Sequence, residues 1–367
     1  MLRDMVLKLA ATPAALALAT CLPQATLAET FKLTIAASHP ATLSWVGTLQ
    51  TTFEPEVNRI LEEKGSEHRV EWQEAFGGQL YKGNATLTSV GDGITDVGWV
   101  WIGMEPSKLP LAQISSVTPF VTDDVEKILT VVNKMHDEIP ELRQQWEDNN
   151  TVFLGASGND TYDLYLKSPI TSLAELGGLR LTAPAALAVW LHGSGAVLKE
   201  GGLPSYYTDI QTGLADGTIS MATGIYPTKV YEVAPYVVRV NIGAVYSGAL
   251  AVNKDVFDGL PADVQQAMRE AGKAYSIAEG RDINNRAANA LAKMQEIGAT
   301  QDPPVTVSDL PADQRQKWAD MLPNLAGEWV ANNGAPAAKF LTGYMEGLRA
   351  AGAVPVRDWD KETAAAN

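Results

Sequence analysis

The chain has 367 residues, 46% of them hydrophobic and 19% charged, and 43 acidic against 28 basic residues give a formal net charge of −15. So acidic a surface repels phosphate backbones and no basic run interrupts it, which counts against nucleic-acid binding. The apolar content excludes a disordered chain, and the length exceeds what one hydrophobic core usually serves, so two lobes are expected.

Residues 1–28 read as a secretory signal peptide: Arg3, Asp4 and Lys8 in "MLRDMVLK", the short apolar run "LAATPAALALAT", and a small residue at Ala28 before Glu29. With Pro13 inside, that run is a poor membrane span, and nothing later in the chain replaces it. "LATC" also resembles a lipoprotein cleavage box with Cys21 as the lipid anchor, although Thr20 is an unusual neighbour there. Cleavage after Ala28 instead removes the single cysteine, and with it any thiol nucleophile, disulfide or cysteine metal site.

Strand and helix signals then alternate. "FKLTIAAS" (31–38) has strand alternation, "WVGTLQTTFEPEVNRILEEKG" carries apolar residues at helical spacing up to Gly65, "HRVEWQEAF" (68–76) alternates again, "YKGNATLTSVGDG" predicts a helix running into glycines, and "ITDVGWVWI" (94–102) predicts a strand. This order predicts an α/β lobe with a largely parallel sheet. After the charged helix "DDVEKILTVVNKMHDEIPELRQQWEDN" a second series begins with "TVFLGASG" (151–158). It continues through "LYLKSPI", the strand "GLRLTAP", a helix from about Ala185 to Gly193, the helix "PSYYTDIQTGLADG", the strand "TISMATG" and the helix "YPTKVYEVAPY".

Two strands in "VVRVNIGAVYSGALAVNKDVF" (237–257) lead back to the first lobe, and "PADVQQAMREAGKAYSIAEGRDINNRAANALAKMQEIG" predicts one very long helix, more naturally bracing both lobes than packing on one. Lobe I is expected over 29–152 plus about 239–265, lobe II over 153–238 plus about 283–367, with the bracing helix at 262–297. Two such lobes make a cleft, and ligands in open parallel sheets sit beyond the carboxyl ends of strands.

Catalytic layouts are missing: there is no G-x-S-x-G elbow, H-E-x-x-H, Walker loop or G-x-G-x-x-G after a strand. Of the four histidines, His68 and His136 lie in charged stretches and are expected at the surface, and His192 is expected near a helix C-terminus. His39 alone ends a strand at the predicted cleft. Asp160 and Asp163 fall in a post-strand loop, where turn and cap duty is the commoner fate. Aromatic residues gather near strand ends, among them Trp99, Trp101, Tyr162, Trp190, Tyr207, Tyr226 and Tyr246, which suggests a pocket with apolar or stacking walls.

Several strings together resemble the extracytoplasmic solute-binding subunits of TRAP transporters, of the DctP type: "LTIAASHP", "GGQL", "VGDGITDVGWV", "SPITSLAELGGLRLTAP", "YYTDIQTGLADG", "KVYEVAPYV" and "YSGALAVNKDVFDGLPADVQQAMREA". The resemblance implies an α/β, two-lobe periplasmic binding-protein fold with a central cleft and a long helix bracing both lobes. It also implies capture of a small organic acid in the periplasm and its delivery to the TRAP membrane subunits, a permease driven by an ion gradient, with no enzymatic activity, no cofactor and no nucleic-acid partner. A receptor of an ATP-driven importer is the nearest alternative. An exported hydrolase or isomerase is the alternative from another class, and would need His39 with Asp160 or Asp163 as base.

In the usual family pattern the strand reads Gly, Leu, Lys, apolar, Arg, apolar, Pro, and that Arg pairs with the ligand carboxylate. Laid over "GLRLTAP", the arginine's place is taken by Thr182, and Arg180 stands where the family has a solvent-facing Lys. Either Arg180, His39, Lys82 or Lys229 supplies the missing cation, or rings carry recognition, with Trp99, Trp101 or Tyr226 stacking on the solute and Thr182 adding a hydrogen bond. The second is preferred, because "SMATGIYP" offers Thr223 and Tyr226 but no acid or amide. An aromatic or hydrophobic monocarboxylate, or a zwitterion held by cation–π contacts, is therefore expected. The expected ligand-binding residues are His39, Trp99, Trp101, Tyr162, Arg180, Thr182, Tyr207, Thr223, Tyr226 and Tyr246.

Overall fold

A computed structural model of the chain describes residues 29–366, so the expected leader and Cys21 lie outside the described residues. Eleven strands form two sheets: β1 (Thr30–Ala36), β2 (Arg69–Ala75), β3 (Val97–Trp101), β4 (Thr151–Asn159), β5 (Tyr162–Leu166), β6 (Arg180–Ala183), β7 (Val197–Glu200), β8 (Gly217–Met221), β9 (Tyr236–Arg239), β10 (Val245–Asn253) and β11 (Thr306–Asp309). The first sheet has the order β2-β1-β3-β10-β4 and the second β11-β9-β5-β8-β6-β7. The fold is α/β with two lobes, as the sequence predicts.

The sheets are mixed, not largely parallel. β1 runs parallel to β2 and β3, but β10 is antiparallel to β3 and β4, and β5 is antiparallel to β8 and β9. Parallel neighbours need a crossover of a dozen or more residues, whereas β5 and β10 each arrive from the other sheet on a short link and enter reversed.

Among the described residues three segments join the sheets: 160–161 between β4 and β5, 240–244 between β9 and β10, and the helix Ala262–Gly298. The second is gripped on both edges. Asp163 Oδ1 accepts the amides of Val240 and Asn241, each at 2.8 Å, while Arg315 donates to the carbonyls of the same residues at 2.7 and 2.8 Å. Burial pushes the Asp163 carboxyl up to about 7, although those amides and Arg239 favour its charge. The 37-residue helix packs Val264, Met268 and Tyr275 into the core of the first sheet and Ala290 and Met294 into a core with Tyr165 and Tyr206 under the second. Its glycines allow this, since a Cβ on Gly272 would lie 2.3 Å from the Leu154 carbonyl oxygen.

Two further expectations are corrected. His68 and His136 are buried, at 8% and 2% exposure: His68, in the loop before β2, packs edge-on against Phe31, and His136 follows buried Val132 by one helical turn, on a face its charged sequence neighbours do not share. Its ring stacks on Phe153 at 3.7 Å, and burial lowers its pKa to about 4. The expected helix at 185–193 is a 3₁₀ turn at Ala185–Leu191, and of the one expected at 226–236 only the 3₁₀ turn Val230–Glu232 forms. Pro227 and the left-handed Lys229 (φ 58°) interrupt the latter.

Candidate functional site

β1 and β3 are parallel neighbours, so their carboxyl ends bring His39, three residues past β1, beside Trp99 and Trp101. The His39 ring meets Trp45, Trp99 and Trp101 edge-on, with centroids at 5.6, 5.5 and 5.8 Å, and Trp45 stacks on Trp99 at 5.9 Å. Trp45 comes from the first turn of the helix that starts at Ser44. Glycines make room for the indoles: a Cβ on Gly248 would lie 2.3 Å from Trp99 Cζ2, and one on Gly83 would lie 3.3 Å from Trp101 Cε3. Trp99 is 3% exposed, whereas His39, Trp45 and Trp101 are half-buried, so the cluster keeps an open side. Burial lowers the His39 pKa, leaving a neutral ring at pH 7.

The rim of this wall carries one ammonium. Gly77 and Gly78 adopt positive φ (75° and 74°), which lets their amides reach back to the carbonyls of His39 and Ala37. That turn delivers exposed Lys82, whose Nζ donates to the Gly78 carbonyl at 2.9 Å and has no carboxylate partner among the described residues.

Behind the wall the polar groups form a chain. Trp99 Nε1 donates to Ser157 Oγ at 2.8 Å, and Ser157 donates to Glu279 Oε1 at 2.7 Å. Glu279 is fully buried on the long helix, and burial pushes its carboxyl up to about 8. Tyr275, one turn earlier, donates to the Trp45 carbonyl at 2.8 Å.

The second sheet contributes a different kind of surface. Asp160, on the link from β4, accepts the Thr223 hydroxyl and, at 3.2 Å, the Thr223 amide, capping the short helix after β8. Burial pushes Asp160 up to about 6 against these bonds. Tyr162 lies edge-on to Trp190 at 5.3 Å, and its phenol is pushed up by burial.

Arg180 and Thr182 share a strand face yet meet different fates. Arg180 is exposed and holds Asp216 through two side-chain bonds of 3.1 and 3.0 Å. Thr182 is fully buried and donates to Asp209 Oδ2 at 3.0 Å, an oxygen also held by Lys199 at 2.9 Å and Ser205 at 2.9 Å. Lys199 stands directly opposite Thr182 in the β6–β7 register. Burial opposes ionisation of Asp209, but these three partners hold its pKa below the ordinary value.

The structure thus brings His39, Trp99 and Trp101 together, and Tyr162 and Thr223 together beside Asp160. It does not gather the rest. Tyr207 bonds Glu232 at 3.3 Å, Tyr226 stacks on Tyr231 at 6.2 Å, and Tyr246 is buried edge-on to His136 at 6.4 Å. Lys229 pairs with Glu232 at 3.7 Å. Sequence reasoning missed Trp45, Ser157, Lys199 and Glu279. Trp45, only six residues past His39, is close enough along the chain to be read with it; the other three depend on tertiary neighbours.

A family model, bacterial extracellular solute-binding protein, family 7 (DctP), matches residues 47–332, most of the chain. The chain belongs to this family. The C4-dicarboxylate-binding periplasmic protein DctP of Rhodobacter capsulatus is 30% identical over 176 residues, covering 46% of this chain and 49% of the relative, so the match spans about half the length of that relative. A Bordetella pertussis extracytoplasmic solute receptor binding pyroglutamic acid superposes with a TM-score of 0.69 at 20% identity, over 85% of this chain and 99% of the other. The periplasmic ectoine-binding protein from the TeaABC TRAP transporter of Halomonas elongata gives 0.67 at 21% identity, over 88% and 100%. This DctP-family member therefore has the two-lobed fold of those receptors, and its polar network at Thr182 occupies the strand position from which the resemblance expects an arginine.

Proposed function

We propose that the chain is the periplasmic receptor of a TRAP-type, ion-gradient-driven permease, exported by its N-terminal leader, and that it binds a small monocarboxylate carrying an apolar or nitrogen-containing ring. The observation that carries this reading is the cluster of His39, Trp45, Trp99 and Trp101 with the ammonium of Lys82 at its rim. Indole faces take up a flat ring or a diffuse cation, and one unpaired ammonium matches one carboxylate.

The second sheet supports a single carboxylate over two. Arg180 and Lys199 are each held by a carboxylate, so neither is a spare cation for a second acid group. The solutes bound by the two structural relatives fit this description, since pyroglutamate and ectoine are both small cyclic monocarboxylates with a ring N–H. The relative from Rhodobacter capsulatus, which binds dicarboxylates, supports the rival solute. Stoichiometric binding without turnover is part of the proposal: among the described residues His39 has only Ser38 as a polar side-chain partner, at 3.1 Å, and neither Asp160 nor Asp163 is hydrogen-bonded to it.

A thermal-shift screen of the purified protein against pyroglutamate, ectoine, aromatic monocarboxylates, sugar acids and C4-dicarboxylates tests the reading. Ligand at about 100 times its Kd stabilises by roughly 2.7 kcal/mol, which raises Tm measurably. Cyclic monocarboxylates are expected to give the shift. A response confined to dicarboxylates or sugar acids overturns the solute class.

A further inference from the structure

An open cavity of about 180 Å³ lies beside the crossing segment 240–244 and shares no lining residue with the tryptophan wall. Donor groups reach it from three elements. Arg315 comes from the helix Ala312–Met321, whose Trp318 donates to the Trp190 carbonyl in lobe II at 2.7 Å. Lys127 comes from the helix Val125–Glu138, which packs on β4 and β10 in lobe I, and Asn241 belongs to the segment itself.

The bonds of the fold do not use up these donors. Arg315 holds the carbonyls of Val240 and Asn241 through Nε and Nη2, and its guanidinium lies over the Phe120 ring at 5.8 Å. Its Nη1 donates to no protein oxygen among the described residues and is not sealed from solvent. The two carboxylates that act on it, Asp123 and Asp163, pair instead with Arg239 at 3.6 and 3.9 Å. Asp123 also lines the cavity, but Arg239 meets its charge. Lys127 meets Asp124 at 3.2 Å, which leaves donors on its ammonium, and Asn241 uses only its side-chain oxygen, accepting from Arg239 at 2.9 Å.

We propose that this cavity is an effector site for a small inorganic oxyanion of the phosphate or sulfate class, held by Arg315, Lys127 and the Asn241 amide, whose occupancy stiffens the crossing between the lobes. Donors converging from three elements suit an ion with four oxygens better than a carboxylate with two. Burial works against the charge of Arg315, and an arriving anion offsets that cost. The ion touches lobe I through Lys127 and lobe II through Arg315, so its affinity depends on how the lobes are set. Every amide of the segment is already bonded, Val240 and Asn241 to Asp163, Ile242 to the Tyr162 carbonyl, Gly243 to the Thr161 hydroxyl and Ala244 to the Thr122 carbonyl. A tighter Arg315 therefore shows in how rarely those bonds open.

Calorimetry of the purified protein without solute, at constant ionic strength, is expected to show saturable one-site binding of phosphate and sulfate. The Kd should be on the order of 1 mM, modest because the net charge of −15 repels anions, and acetate should bind about tenfold more weakly. Arg315→Lys is expected to weaken phosphate binding by about tenfold and Lys127→Gln by about fivefold. Lys127→Gln leaves the carbonyls held by Arg315 untouched, so it reads the site even where Arg315→Lys loosens the hinge. Hydrogen exchange at 240–244 should slow by about threefold or more in phosphate and not in sodium chloride of equal ionic strength. No saturable heat up to about 20 mM of either ion, or binding that neither substitution weakens, overturns the site. Acetate bound as tightly as phosphate overturns the class of ion, and phosphate bound without slower exchange at 240–244 overturns its action on the hinge. The solute reading stands apart from all of these outcomes, because no solute takes part.

Discussion

Around His39 three indoles pack edge and face, with Ser38 and Lys82 at their rim; around Thr182 a lysine, a serine and the threonine itself share one oxygen of Asp209. Both regions lie near the carboxyl ends of parallel strands, at β1 and β3 in one sheet and at β6 in the other. The difference follows from what burial demands. A ring can be almost enclosed and still offer a face, whereas a charge kept near the interior has to be paired, and once paired it is no longer free for a solute. On the function proposed above the first sheet supplies the recognition surface, while the second holds a closed polar network that positions its own strand and helix.

Breaking the wall of rings should have the largest effect. Trp99→Ala removes a ring that is 3% exposed and leaves Ser157 without its indole donor, so a loss of about 3–5 kcal/mol is expected in chemical denaturation, together with loss of solute binding. A cost below about 1 kcal/mol would mean that the wall is not a packed unit.

An intermediate effect comes from pH. Burial lifts the Glu279 carboxyl to about 8, and burial with Glu74 lifts Glu54 to about 8, both above the value of 4.5 that applies in the unfolded chain. The folded state then holds more protons than the unfolded state between those values, so stability declines as pH rises through that window. Melting temperature should drop from about pH 6.5 to about pH 8.5, and Glu279→Gln should remove a share on the order of 2 kcal/mol of that decline. An identical pH profile in the variant would show that Glu279 is not held protonated.

The polar network should give the smallest effects. Thr182→Val takes one donor from Asp209 but leaves Lys199 and Ser205, for about 1 kcal/mol, and Arg180→Ala breaks a solvent-screened pair and should leave stability almost unchanged. Solute affinity, read by calorimetry with whichever compound the thermal screen selects, should stay within about threefold in both. A larger drop in either variant would move recognition from the first sheet to the second and reverse the contrast.

Parts of this contrast are legible before any folding. The strand ends that carry His39, Trp99 and Trp101 follow from alternation and glycine punctuation, and the long brace from its uninterrupted helical pattern. Local signals do not reveal that Tyr226 turns to Tyr231, that Tyr246 is buried beside His136, or that a loop serine joins an indole to a glutamate on a distant helix. Those outcomes depend on which faces the sheets bury, and that is set by elements far away in the chain.

By itself the sequence determined the α/β class, the family, the bracing helix and the position at which the expected arginine is replaced. Only the tertiary structure decided that Thr182 spends its hydroxyl on Asp209, that Arg180 stays with Asp216, and that β5 and β10 run against their neighbours. The physical reason is the range of the forces involved. Periodicity and turn chemistry act over a few residues and can be read along a chain, while pairing of buried charges and stacking of rings are settled by whatever the fold places within a few ångströms.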